Sequence, residues 1–103
     1  MELQLKGKTA LVTGGSEGIG KGIALGLAKE GVDVAICARR LEPLEATAKE
    51  IAAATGRKIV PITADLRKDA DARNFIEQAH KALGKVDIMI NNADRKGGHT
   101  LRD

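Results

Sequence analysis

The chain has 103 residues, 43% of them apolar and 30% charged, with a net charge of +3, and its only Phe, Tyr or Trp is Phe75. That length limits it to one domain with a modest core, and no apolar run reaches membrane-spanning length. The mild, scattered positive charge lacks the stacking aromatics of a nucleic-acid groove, and no leader-like succession opens the chain, so neither nucleic acid nor a membrane is expected as a partner and a cytoplasmic setting is.

In chain order, Met1 to Gly7 form an entry segment and a first strand is predicted near Lys8 to Thr13. After a glycine turn, Ile19, Ile23, Ala24, Leu27 and Ala28 share a helical face that Gly31 ends. Asp33 to Ala38 read as a second strand, apolar without alternation, as in a parallel strand covered on both faces. Pro43 suits the first turn of a second helix with the stripe Leu41, Leu44, Ala48, Ile51 and Ala52, closed by Gly56. Lys58 to Thr63 follow as a third strand, and Pro61 within it demands a sheet edge. Ala72, Phe75, Ile76, Ala79 and Leu83 give a third helix stopped by Gly84, with Asp69 the better-placed cap and Asp65 a second candidate. Val86 to Asn91 form the fourth strand. Strand alternating with helix predicts an α/β doubly wound parallel sheet with helices on both faces, in the order 3-2-1-4. Cys37, the single cysteine, can form no internal disulfide and reads as a small core side chain.

The segment Thr9 to Gly20 then takes on chemical meaning. An apolar strand breaks at Gly14, Gly15, Ser16, Glu17 and Gly18 and re-emerges as helix at Ile19 and Gly20. Gly14 permits a turn that a Cβ would oppose, Gly18 permits close approach of main chain to a phosphate, and Gly20 lets the helix lie close to the sheet. The first amides of that helix and its dipole attract an anion. A glycine triplet alone is weak evidence, but here a strand precedes it, a helix follows, and a charged residue, Arg39, lies about twenty positions on. In a doubly wound sheet the turn and the segment Asn91-Asn92-Ala93 share one crevice, where the strand order reverses.

The pattern Thr-Gly-x-x-x-Gly-x-Gly from Thr13 to Gly20, with Asn91-Asn92-Ala93 after a later strand, resembles the short-chain dehydrogenase/reductase family over about residues 5 to 93. The resemblance implies a Rossmann-type coenzyme-binding portion at 1–93, truncated after the fourth strand, with an irregular tail at 94–103. It is nearest to the 3-oxoacyl-carrier-protein reductase-like branch. It further implies that Asp65 and Leu66 meet adenine, that Asn92 and Ala93 flank the adenine ribose, and that Asn91 braces the sheet. Members preferring NAD carry an acidic residue where this chain has Arg39, whose planar fork suits a 2′-phosphate, so NADP is expected, with NAD the alternative. Glu17 leans toward NAD, since many NADP binders have a basic residue there.

Family enzymes pass a hydride between the nicotinamide and a carbonyl or secondary alcohol, using a serine and a Tyr-x-x-x-Lys pair beyond the fourth strand. This chain has no tyrosine, and its one serine is Ser16. It is expected to be the coenzyme half of a longer oxidoreductase, with a substrate only in that longer form, or else a non-catalytic nucleotide-binding module or frameshifted remnant. His80 and His99 read as surface residues, with no metal or nucleophile set around them. The family's usual glycine is Asp94 here. The tail from Asp94 to Asp103 has no apolar period and is expected to match nothing in the family, which favours a frameshift: loss of one G converts a Gly-Pro codon pair, GGA-CCG, into GAC-CGG for Asp-Arg. Such a chain leaves the fourth strand as an exposed apolar edge, through which self-association is expected.

Overall fold

In a computed structural model, which describes residues 5–14 and 18–91, three helices alternate with four strands. The elements are β1 (Thr9–Thr13), α1 (Gly18–Lys29), β2 (Asp33–Ala38), α2 (Leu41–Thr55), β3 (Ile59–Thr63), α3 (Asp69–Leu83) and β4 (Ile88–Ile90). All strands are parallel, in the order β3-β2-β1-β4, so the expected topology is the observed one. In register, Val12 lies beside Ile36 and Ile90, and Ile36 beside Pro61. Pro61 therefore sits on an outer strand, where a missing ladder donor is tolerated.

Alternation along the strands sends side chains to two cores. Ala10, Val12, Val34 and Ile36 pack with Ala24, Ala28, Leu44, Ala48 and Ile51 of α1 and α2. Leu11, Ala35, Cys37 and Ile62 pack on the other face with Phe75 and Ala79 of α3. Every residue of β1 is buried, as befits the strand with neighbours and helices on all sides. Phe75 is the largest fully buried side chain, and burial of such a side chain is worth about 1.5–3 kcal/mol.

Helix ends follow their glycines. Gly56 and Gly84 cap α2 and α3 in left-handed conformation, each donating its N–H to a carbonyl four residues back. Some details differ from the sequence expectation. Ile19, Leu41 and Ile76, assigned to apolar stripes, are 73%, 49% and 41% exposed, whereas Thr47 is buried. Leu41 opens its helix a turn before the face that meets the sheet, and Ile76 lies to the side of the Phe75–Ala79 line. Neither Asp69 nor Asp65 caps α3, because Lys68 holds the N-cap position without a side-chain bond and Asp69 is already helical. Strands β1, β3 and β4 begin later than expected, and β4 is three residues long. Among the described residues no helix is long and apolar enough to cross a membrane.

Candidate functional site

The carboxyl ends of the strands bring Gly14, Arg39, Asp65 and Asn91 to one edge. Beyond β1, the Gly14 N–H donates to the Cys37 carbonyl at 2.8 Å, and beyond β3 the Ala64 N–H donates to the Ala38 carbonyl at 3.0 Å. The Thr13 hydroxyl lies 3.2 Å from Asn91 Oδ1 and 3.4 Å from the Ile90 carbonyl oxygen, tying the exits of β1 and β4 together. Asn91 thus braces the sheet, as the family resemblance implies. Gly15, Ser16, Glu17, Asn92, Ala93 and His99 lie outside the described residues.

The turn from β1 to α1 has its glycines where their backbone is needed. Gly14 has φ 67° and Gly18 has φ 62°, in the left-handed region that side chains with a Cβ rarely adopt. Among the described residues, a Cβ on Gly18 would meet nothing within 4 Å. The first turn of α1 follows directly, with amides that lack intrahelical partners and favour an anion. Ile19 is exposed beside it, and Gly20 is on the buried face of α1 with Ala24 and Ala28.

Across the edge, Arg39, Thr63, Ala64, Asp65 and Asp71 line an open cleft of about 340 Å³. Arg39 is exposed at the exit of β2. Asp65 follows β3 and is bound by Arg67: Oδ1 accepts from the Arg67 N–H at 3.1 Å and from Nε at 2.9 Å, and Oδ2 accepts from Nη2 at 2.9 Å. Hydrogen bonding by the Arg67 guanidinium, then by its main-chain N–H, holds the Asp65 carboxyl well below the usual carboxylate range, with Arg39 adding a smaller effect. The Asp65 N–H in turn donates to Asp71 Oδ2 at 2.8 Å. Leu66 is half-buried against the α3-side core.

Along one edge thus lie a positive-φ glycine at the exit of β1, a guanidinium at β2 and a carboxylate at β3. Sequence reasoning missed Arg67 and Asp71. The one available signal was spacing, since Asp65-x-Arg67 can close a local fork and Asp71 falls in the first turn of the following helix. Cys37 is sealed in the core, and burial, with a smaller effect from Asp71, pushes its thiol up to about 11. His80 is exposed on α3, and among the described residues no group of three or more His, Cys, Asp or Glu could hold a metal.

Comparison with known proteins agrees with this geometry. "Probable 2,4-dienoyl-CoA reductase 3" of Caenorhabditis elegans is 48% identical over 90 residues, covering 86% of this chain and 29% of that protein. A short chain dehydrogenase from Burkholderia cenocepacia, solved in complex with NADP, is 42% identical with a TM-score of 0.83 over 90% of this chain and 38% of its own. L-sorbose reductase from Gluconobacter frateurii, solved with NADPH and L-sorbose, superposes with a TM-score of 0.90 at 31% identity, over 98% of this chain and 38% of its own. The chain spans about 30% of the length of the curated relatives it matches. The family model for short chain dehydrogenases matches residues 8–103, and so runs through the last ten residues, which the sequence reading set outside the family's pattern. By that match and by the strand order, glycine turn and edge geometry described above, the chain belongs to the short-chain dehydrogenase family.

Proposed function

We propose that this chain supplies the coenzyme-binding part of an NAD(P)-dependent short-chain oxidoreductase. In this reading Gly14, Gly15, Ser16, Glu17, Gly18, Ile19 and Gly20 form the phosphate turn, Asp65 and Leu66 receive the adenine, and Asn92 and Ala93 border its ribose. The observation that carries the reading is Arg39, exposed at the exit of β2 and lining one cleft with Asp65. Its guanidinium offers paired donors to a 2′-phosphate, which favours NADP over NAD. The relatives solved with NADP and NADPH support that preference.

When bound, the nicotinamide gives or accepts a hydride. This chain's part is to fix the other end of the coenzyme: donors at the first turn of α1 for the phosphates, and the Arg39 and Asp65 side chains for the adenosine half. No catalytic residue is assigned within it, since the chain lacks tyrosine and its only serine is in the phosphate turn. In a longer form carrying the Ser, Tyr and Lys set, the substrate is a carbonyl or secondary alcohol, and the resemblance favours a 3-oxoacyl-carrier-protein reductase-like reaction. A second reading, a non-catalytic nucleotide-binding module, is favoured by the same absence of tyrosine.

Calorimetric titration of the purified chain with each coenzyme tests the proposal. NADP binding more tightly than NAD is expected, and tighter NAD binding would end the NADP assignment. We further propose self-association through β4, which among the described strands pairs with β1 alone and bears Met89, 52% exposed. Sedimentation velocity should show dimers or larger species, and a stable monomer would contradict it.

A further inference from the structure

The hydrogen-bond inventory of Asp65 goes further than its assignment as an adenine contact. An ionised carboxylate offers about four accepting positions, two on each oxygen. Arg67 fills both on Oδ1, with its main-chain N–H at 3.1 Å and Nε at 2.9 Å. It fills one on Oδ2, with Nη2 at 2.9 Å. The main chain of Asp65 is held as well, since its N–H donates to Asp71 Oδ2 at 2.8 Å and its carbonyl accepts from the Lys68 N–H at 2.9 Å. The Asp65 side chain is 18% exposed, in the wall of the cleft it shares with Arg39.

We propose that Arg67 is a positioning residue that sets base specificity: its fork on Asp65 leaves one accepting position, on Oδ2, and so matches the cleft to a purine bearing an exocyclic amino group. This rests on the coenzyme-binding reading above. Without the fork the carboxylate can rotate about its side-chain torsions, and a ligand donor must pay to order it. With the fork, an adenine amino group meets a fixed acceptor. A 6-oxo purine in the same place presents acceptor to acceptor, with both Oδ1 positions already used.

The test compares NADP with its 6-oxo analogue, which has hypoxanthine in place of adenine, by calorimetry on the wild-type chain, Arg67→Ala, Arg67→Lys and Arg39→Ala. The wild type should prefer NADP by about tenfold, the worth of one charge-assisted hydrogen bond. In Arg67→Ala the preference should shrink to about twofold or less, while the ratio of NADP to NAD affinity stays put. Arg67→Lys, which keeps the charge but has no fork, should lose the preference likewise and serves if the alanine variant does not fold. Arg39→Ala should do the reverse, losing the NADP over NAD ratio and retaining the base preference. A merely structural Arg67 would weaken NADP and the analogue equally, and an unchanged base ratio in either Arg67 variant overturns the proposal. If the wild type binds NADP but does not distinguish the two bases, this inference falls alone; if it binds no dinucleotide, the coenzyme reading falls with it.

Discussion

At the amino-terminal edge of the sheet, polar groups are matched to one another. Asp87 Oδ2 accepts from the Thr9 N–H at 2.9 Å and faces Lys85 Nζ at 3.3 Å, while the Thr9 hydroxyl donates to the Lys85 carbonyl at 2.6 Å. Next to it, Asp33 takes Arg57 and the Lys58 N–H, and Lys58 Nζ reaches the Ala82 carbonyl. At the carboxyl edge of the same strands the chain instead places left-handed glycines, an exposed arginine and an open cleft. One edge closes the sheet and the other presents it, because parallel strands joined by helices deliver all their exits to one side. The carboxyl edge has its own local fork, Asp65–Arg67, but leaves Arg39 exposed, so substitutions at Arg39 and at Asp87 should separate binding from stability.

The largest effect is expected from Arg39→Ala. Losing a charge-assisted contact to a 2′-phosphate should weaken NADP binding by about thirtyfold and leave NAD binding and the thermal midpoint nearly unmoved. Titration with both coenzymes, beside a melting curve, checks it. Asp87→Ala, from the opposite edge, should do the converse. It strips the buried Thr9 N–H of its carboxylate partner, so Tm should fall by roughly 5–10 °C while any coenzyme affinity remaining at room temperature is unchanged. Gly18→Ala would break the separation. A Cβ at φ 62° costs about 1 kcal/mol and strains the turn that opens α1, so stability and coenzyme affinity should fall together.

The smallest effect is acid sensitivity. Asp65 and Asp87 are held below their ordinary pKa, by Arg67 and by the Thr9 N–H respectively. A depressed folded-state pKa gives stability that is present above the unfolded value, about 4, and is lost as pH falls through the folded one. Melting curves should therefore be insensitive to these two groups from pH 7 to about pH 5 and decline below about pH 4. That decline should be shallower in Asp87→Ala and in Arg67→Ala than in the wild type.

Much of this was legible from residues alone, because the signals were redundant. The unalternating run Val34 to Ala38 could belong only to a strand covered on both faces, and Pro61 could sit only at an edge. Gly31, Gly56 and Gly84 each stood just past an apolar stripe, and all three have positive φ. What stayed hidden depends on three-dimensional neighbours. Thr47 lies in the buried stripe of α2 between Leu44 and Ile51, but its hydroxyl disguised it. Leu41 and Ile76 matched the helical period without facing the sheet. The Asp65–Arg67 fork and the reach of Asp71 back to Asp65 depend on how the turn between β3 and α3 folds, and no periodicity encodes a turn's internal bonds. Between β1 and α1, the glycines announced the conformation seen at Gly14 and Gly18, since positive φ is a demand that few other residues meet.

The one cysteine gives the fold its own reporter. Cys37 is 1% exposed on β2, between Thr13 of β1 and Ile62 of β3, and its raised pKa leaves almost no thiolate at neutral pH. An alkylating reagent can reach it only when the middle of the sheet comes apart, so the labelling rate counts openings of the molecule without any engineered probe. A coenzyme that binds only the closed sheet, at about one hundred times its Kd, should slow that labelling by about a hundredfold.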